Sequence, residues 1–532
     1  MTDDKNLLQG LDPSFAGALR LQQAVTGGNA LGNASSLESQ VPIIPCPLAW
    51  GWAAGGVNGM PLIGAIGCDS KSGYGKSTLA YEHIRWTLMA GGLGVYIGNE
   101  ERPNPQYMRS VMSSIPFSAR VNLIPIEVQS IDGWTKKVFD LRKKSQKFLD
   151  KTPEERVPMT VVVDSLTGRG TAGEQRKAEK EGIKARDFSE AAMSISRFYK
   201  NFSFQGHLMT LFHIQHAKKS QSDDAYGDDQ WVANGGDEPR FNANYHFRIT
   251  GSSDFSYAAY QGRDMRVKFI KSFIGPSKRQ LMVRVCWRFE WMELPLYTMY
   301  GDGEEVVYEI EWEEEQVAAE QAMAWWEKVN AHIPIELAVK LGMELQIFAW
   351  KEHTQKLEEP MAQVEEARQK LAEAQEEKDK RPSKQTLKKL EKEVERGERL
   401  LYELNESAPP LEVPMPKTEQ QKVQFTWFDW DHSLGWLLVD WFTNKENSKV
   451  PASERHDLLE ILPFITSGCN KGYAKCKALF SDNDPHAFTE IGKALRGNPE
   501  LYRKVENFLG IKRRMHFRDV PQRKKALAKG KK

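Results

Sequence analysis

The chain of 532 residues carries 73 Lys and Arg against 72 Asp and Glu, and 40% of its residues are hydrophobic. This composition is typical of a globular protein with about two to four domains. Because the net charge is only +1, nucleic-acid binding would have to come from local basic patches rather than from the chain as a whole.

The cysteines and the N-terminal region argue against several classes of protein. The five cysteines are scattered and form no CxxC pair with a His-rich partner, so neither a disulfide framework nor a zinc site is expected, and a reducing cytoplasm fits. The acidic N-terminus has no apolar run of the signal-peptide kind. Residues 40–68 are uncharged, but they contain four prolines and six glycines, which favours short strands and turns over a membrane helix. We therefore predict a cytoplasmic protein without a membrane partner.

The first 300 residues contain a short arm and one large domain. Residues 1–40 hold a single short helix pattern and are predicted to be an N-terminal arm for subunit contact. From residue 41 to about 300, short β-rich apolar runs alternate with helical patterns. This alternation predicts an α/β domain with a mostly parallel sheet flanked by helices.

The rest of the chain divides by composition into an acidic connecting region (301–346), a helical hairpin (347–407), a Pro-rich linker (408–424), a helical C-terminal domain (425–510) and a disordered basic tail (511–532). In the hairpin, Leu387, Leu390, Val394, Leu401 and Leu404 follow a heptad seam, which favours an antiparallel coiled coil over a single solvated helix. The tail has ten Lys and Arg against one acid, and it either solubilises the chain or contacts nucleic acid.

The strongest local pattern is an apolar strand, a Gly/Ser-rich loop and a helix, in the stretch LIGAIGCDSKSGYGKSTLAYEHI. Such a loop wraps phosphates with its backbone N–H groups, while a Lys reaches the terminal phosphates and a hydroxyl ligates Mg²⁺. The predicted nucleotide-binding residues are Ser70, Lys71, Ser72, Gly73, Tyr74, Gly75, Lys76, Ser77 and Thr78. Ser70 stands where the strict pattern has Gly, so a Gly-rich turn with a surface lysine is the alternative.

Two further strands end in acids. The strand PMTVVVDSL ends at Asp164, which could hold Mg²⁺ together with Ser77. The strand GVYIGNEE ends at Glu100, which could act as the general base that activates water. Together with the loop, these ends predict hydrolysis of ATP, with Mg²⁺ as the metal cofactor.

The order of these elements, followed by the strand LFHIQH, resembles that of RecA-type ATPases. The stretches NPQYMRSV, GGDEPRFNANYHFRI and RVKFIKSFIGPSKRQ resemble the recombinases of that family, and SKSGYGKS makes the UvsX type of bacteriophages the nearest relative. The resemblance covers roughly residues 10–290. It implies a RecA-like core, a helical filament of subunits on single-stranded DNA, and ATP-dependent pairing and strand exchange with duplex DNA in recombination, repair and replication. A phage-encoded protein would act in the host cytoplasm.

The resemblance also implies residue roles. It makes Tyr107 the platform for adenine with Asn104 beside it, and Gln215 the sensor of the γ-phosphate. It places Gly235 and Gly236 at the hinge of a DNA-binding loop, Phe241 at the contact that couples neighbouring subunits, and Lys271 at the neighbouring subunit's ATP. The second lysine of that strand falls on Phe273, which departs from the family pattern.

Two loops are expected to face DNA. The first, residues 167–186, supplies Arg169, Arg176, Lys177, Lys180, Lys184 and Arg186, with a surplus of three positive charges. The second, residues 217–240, supplies Lys218, Lys219 and Arg240, but acids outnumber these cations, which opposes contact with phosphates. Trp231 in this loop either inserts between bases or packs beneath the loop.

Two other functions share part of this pattern. A hexameric DNA helicase or another DNA-stimulated ATPase motor would use the same loop, Glu100, Asp164 and Gln215. A filament scaffold without catalysis would explain the departures at Ser70 and Phe273. For a recombinase, the hairpin and the basic tail are expected to recruit a recombination mediator or a single-strand-binding protein.

Overall fold

A computed structural model describes residues 42–62, 64–99, 104–145, 151–181, 188–202, 207–219, 231–233, 238–257, 259–272, 278–301, 306–376, 384–407, 412–443, 487–516 and 518–519. The N-terminal arm predicted for residues 1–40 lies outside this part of the chain.

The strands are β1 (Ile43–Ile44), β2 (Met60–Pro61), β3 (Gly64–Ser70), β4 (Leu93–Gly98), β5 (Leu123–Glu127), β6 (Met159–Asp164), β7 (Met209–Lys219), β8 (Trp231–Ala233), β9 (Tyr245–Ser256), β10 (Gln261–Ser272), β11 (Gln280–Pro295), β12 (Tyr297–Tyr300), β13 (Val307–Ile310), β14 (Trp312–Ala318), β15 (Glu412–Pro416) and β16 (Thr418–Asp429). The helices are α1 (Leu48–Gly55), α2 (Lys76–Met89), α3 (Pro105–Met112), α4 (Phe117–Arg120), α5 (Ile131–Lys144), α6 (Ala172–Glu181), α7 (Phe188–Asn201), α8 (Glu238–Asn242), α9 (Ala319–Val329), α10 (Ile335–Glu376), α11 (Lys384–Ser407), α12 (Trp430–Thr443), α13 (Ala487–Arg496) and α14 (Pro499–Phe508).

One large sheet combines strands from the first 300 residues with β16 from the C-terminal part of the chain. Its order is β16-β11-β10-β9-β3-β7-β6-β4-β5, with β8 paired to β7 outside this path. The strands from β9 to β5 in this order are parallel neighbours, whereas β9, β10 and β11 are antiparallel. The predicted α/β architecture with a mostly parallel sheet is therefore confirmed.

Both faces of the parallel part are covered, which explains its nearly continuous apolar strands. Ile66, Phe212 and Phe247 point to one face, where they pack with α1, α2 and the C-terminal helices. Val161 and Leu211 point to the other face, where they pack with α5 and α7. All six residues of β6 are buried, so its carboxyl end at Asp164 is placed by the core itself.

The C-terminal helices belong to the same compact unit as the sheet, which comprises residues 1–288 and 426–532. This differs from the separate C-terminal domain expected from the Pro-rich segment before it. The reason is aromatic and aliphatic packing: Trp430 at the start of α12 packs against Trp50 and Trp86, and Leu437 and Leu495 join the core of the sheet.

The first residues of the segment predicted to be a disordered basic tail are ordered against the sheet unit. Residues 511–516 pair with the segments on either side of α1: Ile43, before α1, forms an isolated parallel bridge with His516, and Val57, after α1, does so with Lys512. The backbone N–H of Arg514 donates to Asn58 Oδ1 at 2.7 Å. Residues 520–532 lie outside the described part.

The second compact unit spans residues 289–425. Its long helices α10 and α11 contact each other, and Arg368 pairs with Glu398 at 2.6 Å. α10 begins at Ile335 rather than near residue 347 and contains Pro360. The heptad packing of a coiled coil remains a prediction, because the side chains of Leu401 and Leu404 lie outside the described residues.

The segment expected to be a linker, residues 408–424, contains β15 and most of β16. β15 pairs only with β14 in a two-stranded sheet, with Pro414 opposite Gln316 and Pro416 opposite Trp312. Proline is tolerated on such an edge strand because one side of the strand needs no ladder hydrogen bonds. Within the described ranges, no helix is both long and apolar enough to cross a membrane.

The crossing of α12 and α13 generates a test of the C-terminal packing. A Cβ added at Gly435 would lie 2.0 Å from the backbone oxygen of Phe488, so Gly435→Ala must push the two helices apart. We expect a loss of roughly 1–3 kcal/mol in unfolding free energy, measured as a lower urea midpoint by tryptophan fluorescence. Gly173→Ala on α6, where a Cβ approaches only side-chain atoms, should be neutral or slightly stabilising. Equal effects of the two changes would contradict the close crossing.

Candidate nucleotide site at the carboxyl ends of the parallel strands

The Gly/Ser-rich loop joins the end of β3 to the start of α2. Gly73 and Gly75 have positive φ values of 78° and 93°, a conformation that glycine adopts without the strain a side chain brings. A Cβ at Gly75 would also lie 2.4 Å from the sulfur of Met265. The loop therefore depends on its glycines, and it leads into the first turn of α2, the part of a helix that favours anions.

Lys76 lies over this loop. Its Nζ donates to the backbone oxygens of Ser70 at 3.3 Å and Lys71 at 2.9 Å, and it lies 3.5 Å from His216 Nδ1. The residue is only 5% exposed. The predicted phosphate-binding amine is thus positioned at the loop, and the adjacent His216 was not identified from the sequence.

Ser77 and Asp164 come together from different elements. The Ser77 hydroxyl donates to Asp164 Oδ2 at 2.5 Å, and the Tyr96 hydroxyl donates to the same oxygen at 2.5 Å. Burial and the charge of Asp164 raise the pKa of Tyr96, so its phenol stays protonated and keeps donating. A hydroxyl and a carboxylate oxygen side by side are ligands that Mg²⁺ prefers, so this pair fits the metal predicted for it.

The end of β4 is tied to the end of β6. The backbone N–H of Asn99 donates to the backbone oxygen of Asp164 at 2.7 Å, and the Asn99 side chain donates to the backbone oxygen of Ser165 at 2.9 Å. Glu100, the predicted general base, follows Asn99 directly but lies outside the described residues.

Tyr107 reaches the loop from α3. Its hydroxyl lies 2.8 Å from that of Thr78, so the predicted adenine platform is next to the phosphate loop. Asn104 acts locally instead, because its side-chain oxygen caps α3 by accepting the N–H groups of Gln106 and Tyr107 at 3.1 Å. Arg263 also contacts the loop, by donating to the backbone oxygen of Gly73.

A buried polar row crosses the three central strands beneath the loop. Gln215 on β7 and Arg248 on β9 flank Asp69 on β3. Arg248 donates to both carboxylate oxygens of Asp69, and His246 Nε2 lies 2.9 Å from Oδ2. These four side chains are buried. Gln215 was predicted, whereas Asp69, His246 and Arg248 were missed; polar residues inside apolar strands were the available signal.

A second row lies next to the first, with Gly67 between His213 and His246. A Cβ at Gly67 would lie 2.4 Å from His246 Nδ1 and 2.7 Å from His213 Nε2. The two imidazoles therefore pack against the backbone of Gly67, and any larger residue at this position would displace them. Tyr199 contacts the other ring nitrogen of His213 at 2.7 Å, which extends the row toward α7.

Asp69 is ionised throughout the ordinary pH range. Burial alone would raise the pKa of Asp69, but hydrogen bonds and charges from His246 and Arg248 outweigh burial and lower the pKa to about 2. The adjacent His213 is neutral instead, because burial lowers its pKa to about 3. The end of β3 thus carries a fixed negative charge that is matched by Arg248.

The residues expected at the subunit contact lie together. Lys271 Nζ donates to the backbone oxygens of Arg240, at 3.4 Å, and Phe241. Burial and the charge of Arg240 lower the pKa of Lys271. Phe241 is 71% exposed, more than any other large apolar side chain in the described part of the chain.

The expected DNA-binding residues are described only in part. Arg176, Lys177 and Lys180 are exposed on α6, and Lys177 pairs with Glu190; Arg169 is half-buried and donates to Gln129. Lys218 and Lys219 lie at the end of β7, where Lys219 is opposite Trp231 of β8, but the three side chains are outside the described part. Lys184, Arg186, Gly235, Gly236 and Phe273 lie wholly outside it.

The charge of Asp69 generates a pH test. Because its pKa is lower in the folded chain than its ordinary value of 3.8, its stabilising contribution is complete above about pH 5 and is lost as pH falls through 3.8 toward 2. Asp69→Asn should therefore cost roughly 3 kcal/mol near pH 7, and this difference from the native chain should shrink below pH 4. Urea titrations at several pH values measure it. The exposed Asp254→Asn is the control and should cost under about 1 kcal/mol; a difference for Asp69→Asn that persists at low pH would refute the ionised network.

Comparisons of the chain with protein-family models and with curated proteins find no match.

Proposed function

We propose that this protein is a RecA-like, ATP-driven DNA strand-exchange protein of the kind found in bacteriophages. The observation that carries the proposal is the contact of Ser77 and Asp164 beside Lys76, at the carboxyl ends of parallel strands. Ligands of α/β proteins bind at that edge of the sheet. A surface lysine on a Gly-rich turn, the alternative interpretation of the loop, would be exposed, whereas Lys76 is only 5% exposed and donates to the backbone oxygens of Ser70 and Lys71.

In this proposal, different residues of the site bind the phosphates, hold the metal and activate water. The loop N–H groups and Lys76 bind the phosphates of ATP, and Ser77 and Asp164 would hold Mg²⁺, which offsets phosphate charge when bound. Tyr96 orients the Asp164 carboxylate. Glu100 remains the proposed general base, supported by the anchoring of the preceding Asn99 beside Asp164.

Two observations favour a site that is completed by a neighbouring subunit. Phe241 is exposed, and Lys271 lies against the backbone of the same short helix α8. A neighbouring subunit that covers Phe241 would bury its ring and bring Lys271 near a second nucleotide. ATP binding and assembly on single-stranded DNA would then be coupled, as strand exchange requires. Duplex DNA is the second proposed substrate, and the exposed cations of α6 support contact with phosphates.

The direct test is ATP-dependent formation of displacement loops between a labelled single strand and a homologous supercoiled duplex. Lys76→Ala should abolish joint molecules and lower ATP hydrolysis by roughly 100-fold, because it removes the cation at the phosphates. Lys136→Ala, at an exposed position on α5, is the matched control and should behave like the native chain. DNA-stimulated hydrolysis without joint molecules would instead indicate a helicase-like motor, and absence of hydrolysis in the native chain would indicate a scaffold.

The subunit contact can be tested separately. Phe241→Ala should leave the unfolding free energy within about 0.5 kcal/mol of the native value, because the ring is exposed. It should nevertheless reduce ATP-dependent assembly on single-stranded DNA, measured by sedimentation and electron microscopy. Met193→Ala, another exposed apolar side chain, serves as control. Unchanged assembly in Phe241→Ala would remove this residue from the proposed interface.

A further inference from the structure

A cavity lies in the first compact unit, on the part of α2 beyond the Gly/Ser-rich loop, apart from the candidate nucleotide site. It has a volume of about 550 Å³ and is lined by residues of α2, β11, the turn before β10 and the C-terminal segment that starts at Trp427. This volume is within the range of small-molecule sites. None of the residues predicted to bind ATP or DNA lines it.

Glu82 lies at the cavity with one oxygen already satisfied. Its Oε1 accepts from Arg85 at 3.0 Å, from Trp86 Nε1 at 2.9 Å and from Trp430 Nε1 at 2.9 Å. Its Oε2 has no hydrogen-bond partner in the described part of the chain, although the residue is fully buried. Burial raises the pKa of Glu82, while the Arg85 charge and the indole donors oppose that rise. An oxygen of this kind leaves room for one more N–H donor, since unsatisfied buried acceptors are costly.

The cavity walls are aromatic. Trp427, Phe428, Trp430 and Tyr260 line it, and the rings of Phe428 and Trp430 are nearly parallel, 9° apart in orientation. Each of these four residues is half-buried. Such rings provide stacking surfaces for a planar group, as they do in proteins that bind single nucleic-acid bases.

The charged residues around the cavity favour a ligand that consists of an uncharged planar ring and an attached anionic group. Three acids and three bases line the cavity, so the lining as a whole is balanced. The cations are the more exposed members: the side chains of Lys493 and Arg496 are 54% and 69% exposed, against 15% for Asp431. Lys493 is paired with Glu490 at 3.0 Å and Arg496 with Asp431 at 2.8 Å, and both side chains are exposed enough to meet a phosphate outside the aromatic walls.

We propose that this cavity binds an amino-bearing nucleobase, cytosine or adenine, whose exocyclic N–H donates to Glu82 Oε2 while its phosphate lies near Arg496 and Lys493. Carboxylates accept from the cytosine amino group in the same way in base recognition. The base comes either from a free nucleotide or from a single strand, and both sources present the same chemistry. The proposal is independent of ATP hydrolysis at the phosphate loop.

The test measures binding of CMP and UMP to the full-length chain by isothermal titration without Mg²⁺, because monophosphates lack the β- and γ-phosphates that the loop is expected to hold. We expect saturable binding of CMP, roughly 10-fold tighter than that of UMP. Glu82→Gln should reverse the preference: the amide oxygen can accept the three existing donors, which leaves an N–H₂ group at the free position. Glu154→Gln, an exposed acid outside the cavity lining, is the control and should keep the native preference.

Further binding measurements locate the phosphate of the ligand and identify whether the base comes from a nucleotide or from DNA. Arg496→Ala should weaken CMP while leaving cytidine unchanged. An oligo(dC) strand that displaces CMP would assign the site to a DNA base, and failure to displace it would assign the site to a free nucleotide. If Glu82→Gln does not fold by circular dichroism, Trp427→Ala replaces it and should weaken CMP at least about 5-fold by loss of stacking. Absence of saturable CMP and AMP binding, or equal CMP affinity in the folded variants and the native chain, would overturn the proposal.

Discussion

The buried charge pair of Asp69 and Arg248 is the constraint on which the candidate site depends. Asp69 is the penultimate residue of β3, and its carboxylate is held from the neighbouring strand β9 by two hydrogen bonds. The loop that leads to Lys76 begins after Ser70, the last residue of β3, so its starting point lies directly beside this pair. A buried carboxylate without its partner would be strongly destabilising. The register of β3 against β9 therefore places Asp69 and Arg248 together directly before the Gly/Ser-rich loop.

The other end of the site is fixed by α2, which takes part in two polar arrangements. Near its start, Ser77 is bonded to Asp164 of β6. Further along, Glu82 receives the indole N–H groups of Trp86 and Trp430, and Trp430 opens the C-terminal helix α12. The C-terminal segment therefore contacts the same helix that follows the Gly/Ser-rich loop. This explains why the chain returns to the sheet after residue 425 instead of forming a separate domain.

Local patterns in the sequence predicted the parts of the site that lie close together along the chain. The loop glycines, Lys76, Ser77 and the strand end at Asp164 follow from spacing and from the apolar runs before them, and the mostly parallel sheet follows from alternating patterns. The missed residues depend on distant pairing. His246 and Arg248 are 177 and 179 residues from Asp69, and Trp430 is 348 residues from Glu82. Tyr96 resembles any other apolar strand residue until β4 is placed beside β6. Strand order, which brings these groups together, is not encoded in any local window.

The near-zero net charge of the chain conceals two opposite parts. Residues 289–425 contain 17 Lys and Arg against 31 Asp and Glu, a net charge of −14. The remaining residues contain 56 Lys and Arg against 41 Asp and Glu, a net charge of +15. At physiological ionic strength, charges interact over only about 8 Å, so a DNA phosphate responds to the unit it approaches and not to the whole chain. The unit that carries the Gly/Ser-rich loop has the charge that favours anions, and the second unit has the charge that disfavours them. The composition of the full chain averages these two opposite charges to nearly zero, which is why it does not reveal the basic unit that the proposed DNA binding requires.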